Sequence, residues 1–301
     1  MVPAPQGTIE SPLLDGLNDE QRSAVTTTDG PVLIVAGPGS GKTRVLTVRI
    51  AYLIQEHGVA QWNIMAVTFT NKAAREMRER VERLVGERAK WISIGTFHAF
   101  CARVLRQHGD AIGLDPRYVI YDDSDQMGAI KQAMTDLDIN TKAFSPRGIL
   151  STISRAKSHN IGPADFPGKV ENYFEEVVAR VYPVYQETLR RRRALDFDDL
   201  LLSTVRLIDE SPRTLDALRQ RHQYILVDEY QDTNRIQYLL VRELSALHRN
   251  LCVVGDPDQS IYGWRAADIR NILTFKEDFP EAVEVHLEEN YRSTPQILAA
   301  A

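Results

Sequence analysis

Residues 31–43 read "PVLIVAGPGSGKT". Val32 to Ala36 form an unbroken apolar run, long enough for a buried strand and too short for a core helix. Gly37, Gly39 and Gly41 follow at once, and such glycines let the backbone turn tightly with its N–H groups facing inward. Helical spacing then begins: in "TRVLTVRIAYLIQEH" (43–57), Val45, Val48, Ala51 and Tyr52 share a face. A strand that is apolar on both faces and feeds a helix through a tight loop is the unit from which parallel, doubly covered sheets are wound.

The remaining chain repeats that alternation. Strand patterns recur at 64–70, 91–97, 224–230, 250–256 and 282–287. "NKAAREMRERVERLV" (71–85) is an amphipathic helix with Ala74, Met77, Val81 and Leu84 inward. Residues 111–194 break the rhythm and read as helices interrupted by "GLDP", "FSPRG" and "IGPADFPG". The expected fold class is therefore α/β, a mainly parallel sheet with an inserted all-helical subdomain. The expected divisions are a loose arm over 1–16, an α/β domain made of 17–110 and 195–285, the insert at 111–194, and a separate closing segment at 286–301. A length of 301 residues suits two lobes better than one.

Composition narrows the classes of function. The chain is 43% hydrophobic and 26% charged, as soluble globular proteins are. No apolar run approaches a bilayer span, and no basic-then-apolar leader opens the sequence, so no membrane association is expected. The two cysteines, Cys101 and Cys252, form no CxxC pattern, which suits a reducing cytoplasm and offers no zinc or disulfide framework. The net charge of −5 argues against a broadly basic nucleic-acid binder. Charge is uneven, however: residues 69–110 hold nine Lys/Arg against five Asp/Glu, and "RRRR" occupies 190–193. A DNA site would have to be a local patch on an acidic body.

Three strand ends carry the chemistry. The loop after the first strand is a phosphate cradle: backbone N–H groups and a helix N-terminus point at an anion, Lys42 reaches the β- and γ-phosphates of a nucleotide, and Thr43 holds Mg²⁺. The general pattern has glycine where this chain has Ala36. "YILVDEYQDTN" puts Asp228 and Glu229 at the carboxyl end of a buried strand, where open α/β sheets bind ligands. Asp228 would hold Mg²⁺, and Glu229 would accept a proton from an attacking water. "LCVVGDPDQSIYGWRAAD" ends a third strand with Gln259 placed to sense the γ-phosphate. Tyr262, Trp264 and Arg265 follow in a loop suited to base stacking, worth about 1–3 kcal/mol per base.

Taken together these motifs resemble superfamily 1 DNA helicases of the UvrD/PcrA/Rep group. Eight motifs stand in family order: "LNDEQ", "AGPGSGKT", "AVTFTNKAAREM", "GTFHAF", "LDFDDLL", "ILVDEYQDTN", "VVGDPDQSIYGWR" and "LEENYRS". The resemblance spans 17–295 and also accounts for Ala36, which this group commonly has. It implies a RecA-like P-loop domain using ATP and Mg²⁺, with Ala36, Gly37, Pro38, Gly39, Ser40, Gly41, Lys42, Thr43 and Arg44 around the phosphates. Gln21 would read the adenine edge, Tyr291 would stack on the base, and Arg292 would be an arginine finger. Phe69, Asn71, Thr96 and His98 would line a single-stranded DNA groove with Tyr262, Trp264 and Arg265. "LDFDDLL" (195–201) would be structural or coupling.

The implied function is ATP-driven movement, 3′ to 5′, on single-stranded DNA with opening of duplex junctions, by a monomer that works with repair or replication proteins. Residues 286–301 would begin a second motor domain that is otherwise missing, leaving Tyr291 and Arg292 frayed or docked non-productively and activity weak. The alternatives are a non-motor DNA- or partner-binding fragment, or the helicase part of a RecB/AddA-type helicase-nuclease.

Overall fold

The computed structural model describes residues 11–261, 263 and 267–294. Tyr262, Trp264 and Arg265, expected to contact DNA, lie outside the described residues. So do 1–10 and 295–301.

Six strands build one parallel sheet: β1 (Val32–Ala36), β2 (Ile64–Thr68), β3 (Ser93–Thr96), β6 (Tyr224–Val227), β7 (Asn250–Gly255) and β8 (Val283–Leu287), with β4 and β5 elsewhere. Their order is β3-β2-β6-β7-β1-β8. Every pairing is parallel, and the registers set Ile64 against Tyr224, Leu226 against Cys252, and Val32 against both Cys252 and Val283. Nearly every residue of the four central strands is buried, which is why they read as continuous apolar runs rather than alternating ones.

Helices cover both faces. On one lie α1 (Asp19–Thr26), α2 (Lys42–Gln55) and α3 (Asn71–Val85), whose Val45, Ile50, Met77 and Val81 share a core with Ile34, Ala66 and Val254. On the other lie α4 (Phe97–His108), α8 (Phe197–Glu210) and α10 (Arg235–Ser245), joining Phe100, Leu200 and Val241 to Leu33, Val67 and Val253. The intervening helices are α5 (Asp123–Asp136), α6 (Pro146–Ser158), α7 (Tyr173–Arg191) and α9 (Pro212–Arg221). Start signals are local. Asn18 and Gln21 form a capping box on α1, Thr70 caps α3 and Thr96 caps α4. The chain's two cysteines are buried, with the Cys101 thiol pushed up to about 12 by burial, so both are inert core residues.

Two boundaries differ from expectation. Residues 11–16 are not a loose arm: Pro12–Leu14 form a 3₁₀ turn, and Leu14 is buried against the core on the α2 face. The adjacent apolar pair Leu13–Leu14 supplies the reason, because burying it outweighs the entropy of a short free segment. Helices α5, α6 and α7 do form a core of their own, through residues such as Ile130, Ile149, Val178 and Tyr182. Yet the insert is not wholly helical. At its base, Val119–Ile120 (β4) and Ala194–Leu195 (β5) make a short parallel ladder, and Tyr118 and Leu195 there belong to the sheet-side core.

Candidate nucleotide site

The loop between β1 and α2 has the bend its glycines foretold. Gly39 and Gly41 take φ of 75° and 92°, the left-handed region open to glycine, and a Cβ on Gly39 would sit 2.8 Å from the Arg292 Cβ and the Asn290 side chain. Ser40 Oγ donates to the Gly37 carbonyl at 2.7 Å, bracing the turn. Lys42 Nζ lies 3.2 Å from the Ala36 carbonyl oxygen and 3.8 Å from Asp256 Oδ2, so the cation stands between the tips of β1 and β7. A cleft of about 320 Å³ opens over the loop, lined by Pro38, Gly39, Gly41, Lys42, Thr43, Arg44, Arg80, Glu229, Gln259, Tyr291 and Arg292.

Next in the sheet are the tips of β7 and β6. Asp228 continues the β6 ladder, its N–H donating to the Val67 carbonyl at 2.9 Å. Glu229 then turns left-handed, at φ 51° and ψ 47°, an unusual state for a residue with a Cβ, and this bend brings its side chain to the cleft. Burial, reinforced by the Glu229 charge, pushes the Asp228 carboxyl up to about 7, while Lys42 and Arg80 pull the other way. Asp232 is raised to about 6 by burial and Glu229, and its Oδ1 is buried without a partner. At the β7 tip, Gln259 Nε2 donates to Asp256 Oδ2.

Residues 288–294, after β8, are docked rather than frayed. The Tyr291 N–H donates to the Gly39 carbonyl at 3.0 Å and Asn290 Nδ2 to the Pro38 carbonyl at 2.6 Å, so Tyr291 and Arg292 are docked across the loop. The Tyr291 hydroxyl accepts from Asn18 Nδ2 and donates to Glu289. Loop carbonyls turned outward are unsatisfied acceptors, and Asn290 and Tyr291 supply the donors.

Gln21 stands behind the loop, outside the cleft lining. It is 1% exposed, its Oε1 accepts from the Asn18 N–H, and its Nε2 donates to the Ser40 carbonyl at 2.9 Å. Both ends of the amide are engaged within the protein, so Gln21 braces the loop instead of lining the cleft. Arg44, by contrast, is exposed at the cleft and touches the Asp15 carbonyl.

The residues expected to contact DNA stand at the other half of the same sheet edge. Phe69 and Asn71 follow β2, and Thr96 and His98 end β3 and begin α4. Phe69 is half-buried and Asn71 exposed. The Thr96 hydroxyl accepts from the Ala99 N–H as the α4 cap. His98 packs edge-on against Phe197 at 5.9 Å, and burial lowers its pKa.

Sequence reasoning missed Arg80, Gln231, Asp232, Asp256 and Phe197. Arg80 lies nine residues into α3, and on a helix only the three-dimensional packing reveals which arginine of "REMRERVER" faces the cleft. Phe197 has an exposed ring, 46% accessible, inside an otherwise apolar and acidic motif. That ring was the available signal.

Residues 17–280 match the UvrD/REP helicase N-terminal domain family. The chain belongs to that family. It is 53% identical over 293 residues to a Bacillus subtilis protein described as ATP-dependent DNA helicase PcrA, covering 97% of this chain and 40% of that protein. A Staphylococcus aureus protein of the same description is 52% identical over 289 residues, again 40% of its length. The chain thus spans about 40% of the length of the curated relatives it matches. The six-stranded parallel sheet is the architecture expected of a RecA-like helicase domain. Among the described residues no helix is long and apolar enough to cross a membrane.

Proposed function

We propose that this chain is the nucleotide-binding portion of an ATP-dependent DNA helicase, coupling Mg-ATP hydrolysis to 3′–5′ movement on single-stranded DNA. The observation that carries the proposal is the convergence of Lys42, Glu229 and Gln259, from three neighbouring strand tips, on one cleft roofed by Arg292. The loop N–H groups, Lys42 and the α2 N-terminus would bind the phosphates. The Thr43 hydroxyl and the Asp228 carboxylate are hard oxygen donors that would hold Mg²⁺, which would supply positive charge to offset that of the phosphates. Glu229 would orient and deprotonate the attacking water. Gln259 would report the γ-phosphate, and Arg292 with Arg80 would stabilise charge on it. Tyr291 would stack on the base, with Gln21 acting through the loop it braces.

DNA would run along the β2–β3 half of the edge, over Phe69, Asn71, Thr96 and His98, with Tyr262, Trp264 and Arg265 as further contacts. The exposed Phe197 ring beside His98 extends that stacking surface. We assign 11–110 and 195–287 to the motor domain, since Leu14 and Leu287 belong to its core, 111–194 to an insert, and the segment after Leu287 to the start of a second motor domain. A cytoplasmic monomer acting with repair or replication proteins fits this reading.

Binding of a fluorescent Mg-nucleotide, and ATP turnover with and without single-stranded DNA, test it. Wild type should bind, and Lys42→Ala should lose at least about tenfold in affinity, roughly 1.4 kcal/mol. Persistent DNA binding with no detectable nucleotide binding by wild type would favour a non-motor module instead.

A further inference from the structure

Between the Glu229 carboxylate and the tip of β7 lies one side chain that the catalytic reading leaves unused. Gln231 is 1% exposed. Its Nε2 donates to Glu229 Oε2 at 2.9 Å, and its Oε1 accepts from the Asp256 N–H at 3.0 Å. A single planar amide therefore joins two strand tips. On one side is a residue in a left-handed conformation, whose carboxylate this bond holds. On the other is the turn where Asp256 meets both Lys42 and Gln259.

The fit is close. A Cβ on Gly255 would lie 2.6 Å from Gln231 Oε1 and 2.7 Å from Ile272 Cδ1, so glycine leaves room for the amide to reach the turn. Only a side chain with a donor at one end and an acceptor at the other satisfies both neighbours. Glutamate would oppose a second carboxylate to Glu229, and alanine would leave the buried Asp256 N–H unsatisfied.

We propose that Gln231 is a positioning residue that sets the Glu229 carboxylate and couples it mechanically to the β7 tip. The proposal rests on the hydrolysis reading for its consequence and on this bond geometry for its existence. Movement of the Asp256–Gln259 turn is passed to Glu229 through one rigid group. A polar residue that merely satisfied its own burial would affect stability and leave the chemical step alone.

The test is a double-mutant cycle on this chain with Gln231→Ala, Gly255→Ala and both, with Gln231→Met as a volume-keeping variant should the alanine unfold. Gln231→Ala should lower kcat for ATP by at least about tenfold, part of the roughly 10²–10⁴ that a general base supplies. The affinity for Mg-ATP should stay within about threefold. Gly255→Ala should act in the same direction, and the double variant should be no worse than the poorer single, because both remove the same link. A Gln231→Ala turnover close to wild type, or an affinity that falls as far as kcat, overturns the proposal. Should wild type bind Mg-ATP without turning it over, the crystal structure of Gln231→Ala decides. A displaced Glu229 carboxylate supports the link, and an unmoved one refutes it. Failure of wild type to bind Mg-ATP would strike the nucleotide reading alone, and the same crystal structure would still judge Gln231.

Discussion

At the scale of single residues, the protein separates groups held for chemistry from groups held for packing by what burial does to their protons. His222 is 3% exposed, its ring edge-on to Phe100 at 5.5 Å, and its Nδ1 has no partner. Burial, followed by the charges of Arg221 and Arg103, lowers its pKa from 6.5 to about 3. A base whose folded pKa is depressed binds fewer protons in the native state than in the unfolded one. Stability from this group is therefore complete above pH 6.5 and is lost as pH falls through 6.5 toward 3. At pH 5 the loss should reach up to about 2 kcal/mol. Raised acids such as Asp228, Asp199 and Asp232 contribute with the opposite sign over this range, so the comparison is differential. In urea melts at pH 7 and pH 5, His222→Phe should shift the pH dependence by up to about 2 kcal/mol in favour of pH 5 relative to wild type. An unchanged pH dependence in the variant would remove His222 as a contributor. Asp228 carries the opposite sign: pushed up to about 7, it is costly to ionise, so its environment favours an added cation.

Among the secondary elements, the insert is tied to the sheet by buried charge. Lys157 on α6 is wholly buried, with Nζ 2.7 Å from Asp196 and 2.6 Å from Asp199 at the start of α8. The Tyr185 hydroxyl and the Gln186 amide of α7 donate to the same two carboxylates. Burial opposes ionisation of Asp196, but Lys157 prevails and holds it below the usual range, whereas burial and the Asp196 charge raise Asp199 to about 6. Lys157→Met strands two buried acids and should cost about 3–5 kcal/mol. Adding Asp196→Asn and Asp199→Asn should recover part of that loss. A denaturant midpoint shift equivalent to less than about 1 kcal/mol would show the pair to be dispensable.

Here the limits of sequence are visible. "LDFDDLL" read as a structural or coupling segment. That its acids meet a lysine thirty-nine residues earlier was not legible, because helix spacing encodes a face and not what lies against it. The loop, the strand ends and Lys42, Asp228 and Glu229 were legible because each is local: glycines at fixed offsets, and two acids after four apolar residues. Arg80 reaches the cleft, and Gln231 and Asp256 stand behind its lining, through tertiary packing alone. The bond from the Gln21 amide to the Ser40 carbonyl was not legible, because it joins elements far apart in sequence.

For the molecule as a whole, charge and topology matter more than any one contact. The body is acidic, at −5, and the basic excess of 69–110 lies on α3, α4 and their flanks, next to the proposed DNA edge. If these cations meet phosphates, single-stranded DNA affinity should fall steeply with salt, with a log–log slope of about −0.7 for each phosphate neutralised. Titrations between 50 and 200 mM salt, on the order used for such slopes, measure it. A flat response would move the DNA to another face.

The strand order carries a further consequence. β1, which bears the phosphate loop, has β7 and β8 as its two neighbours, and Val32 pairs with Cys252 and with Val283. During synthesis β1 waits for more than two hundred residues before either flank exists. At roughly 5–20 residues per second, that is an interval of tens of seconds at the slower rate. Throughout it, an aliphatic strand with both edges open is exposed to mispairing. Closure of the sheet around β1 therefore waits for the last strands made, β7 and β8, the second of which ends at Leu287.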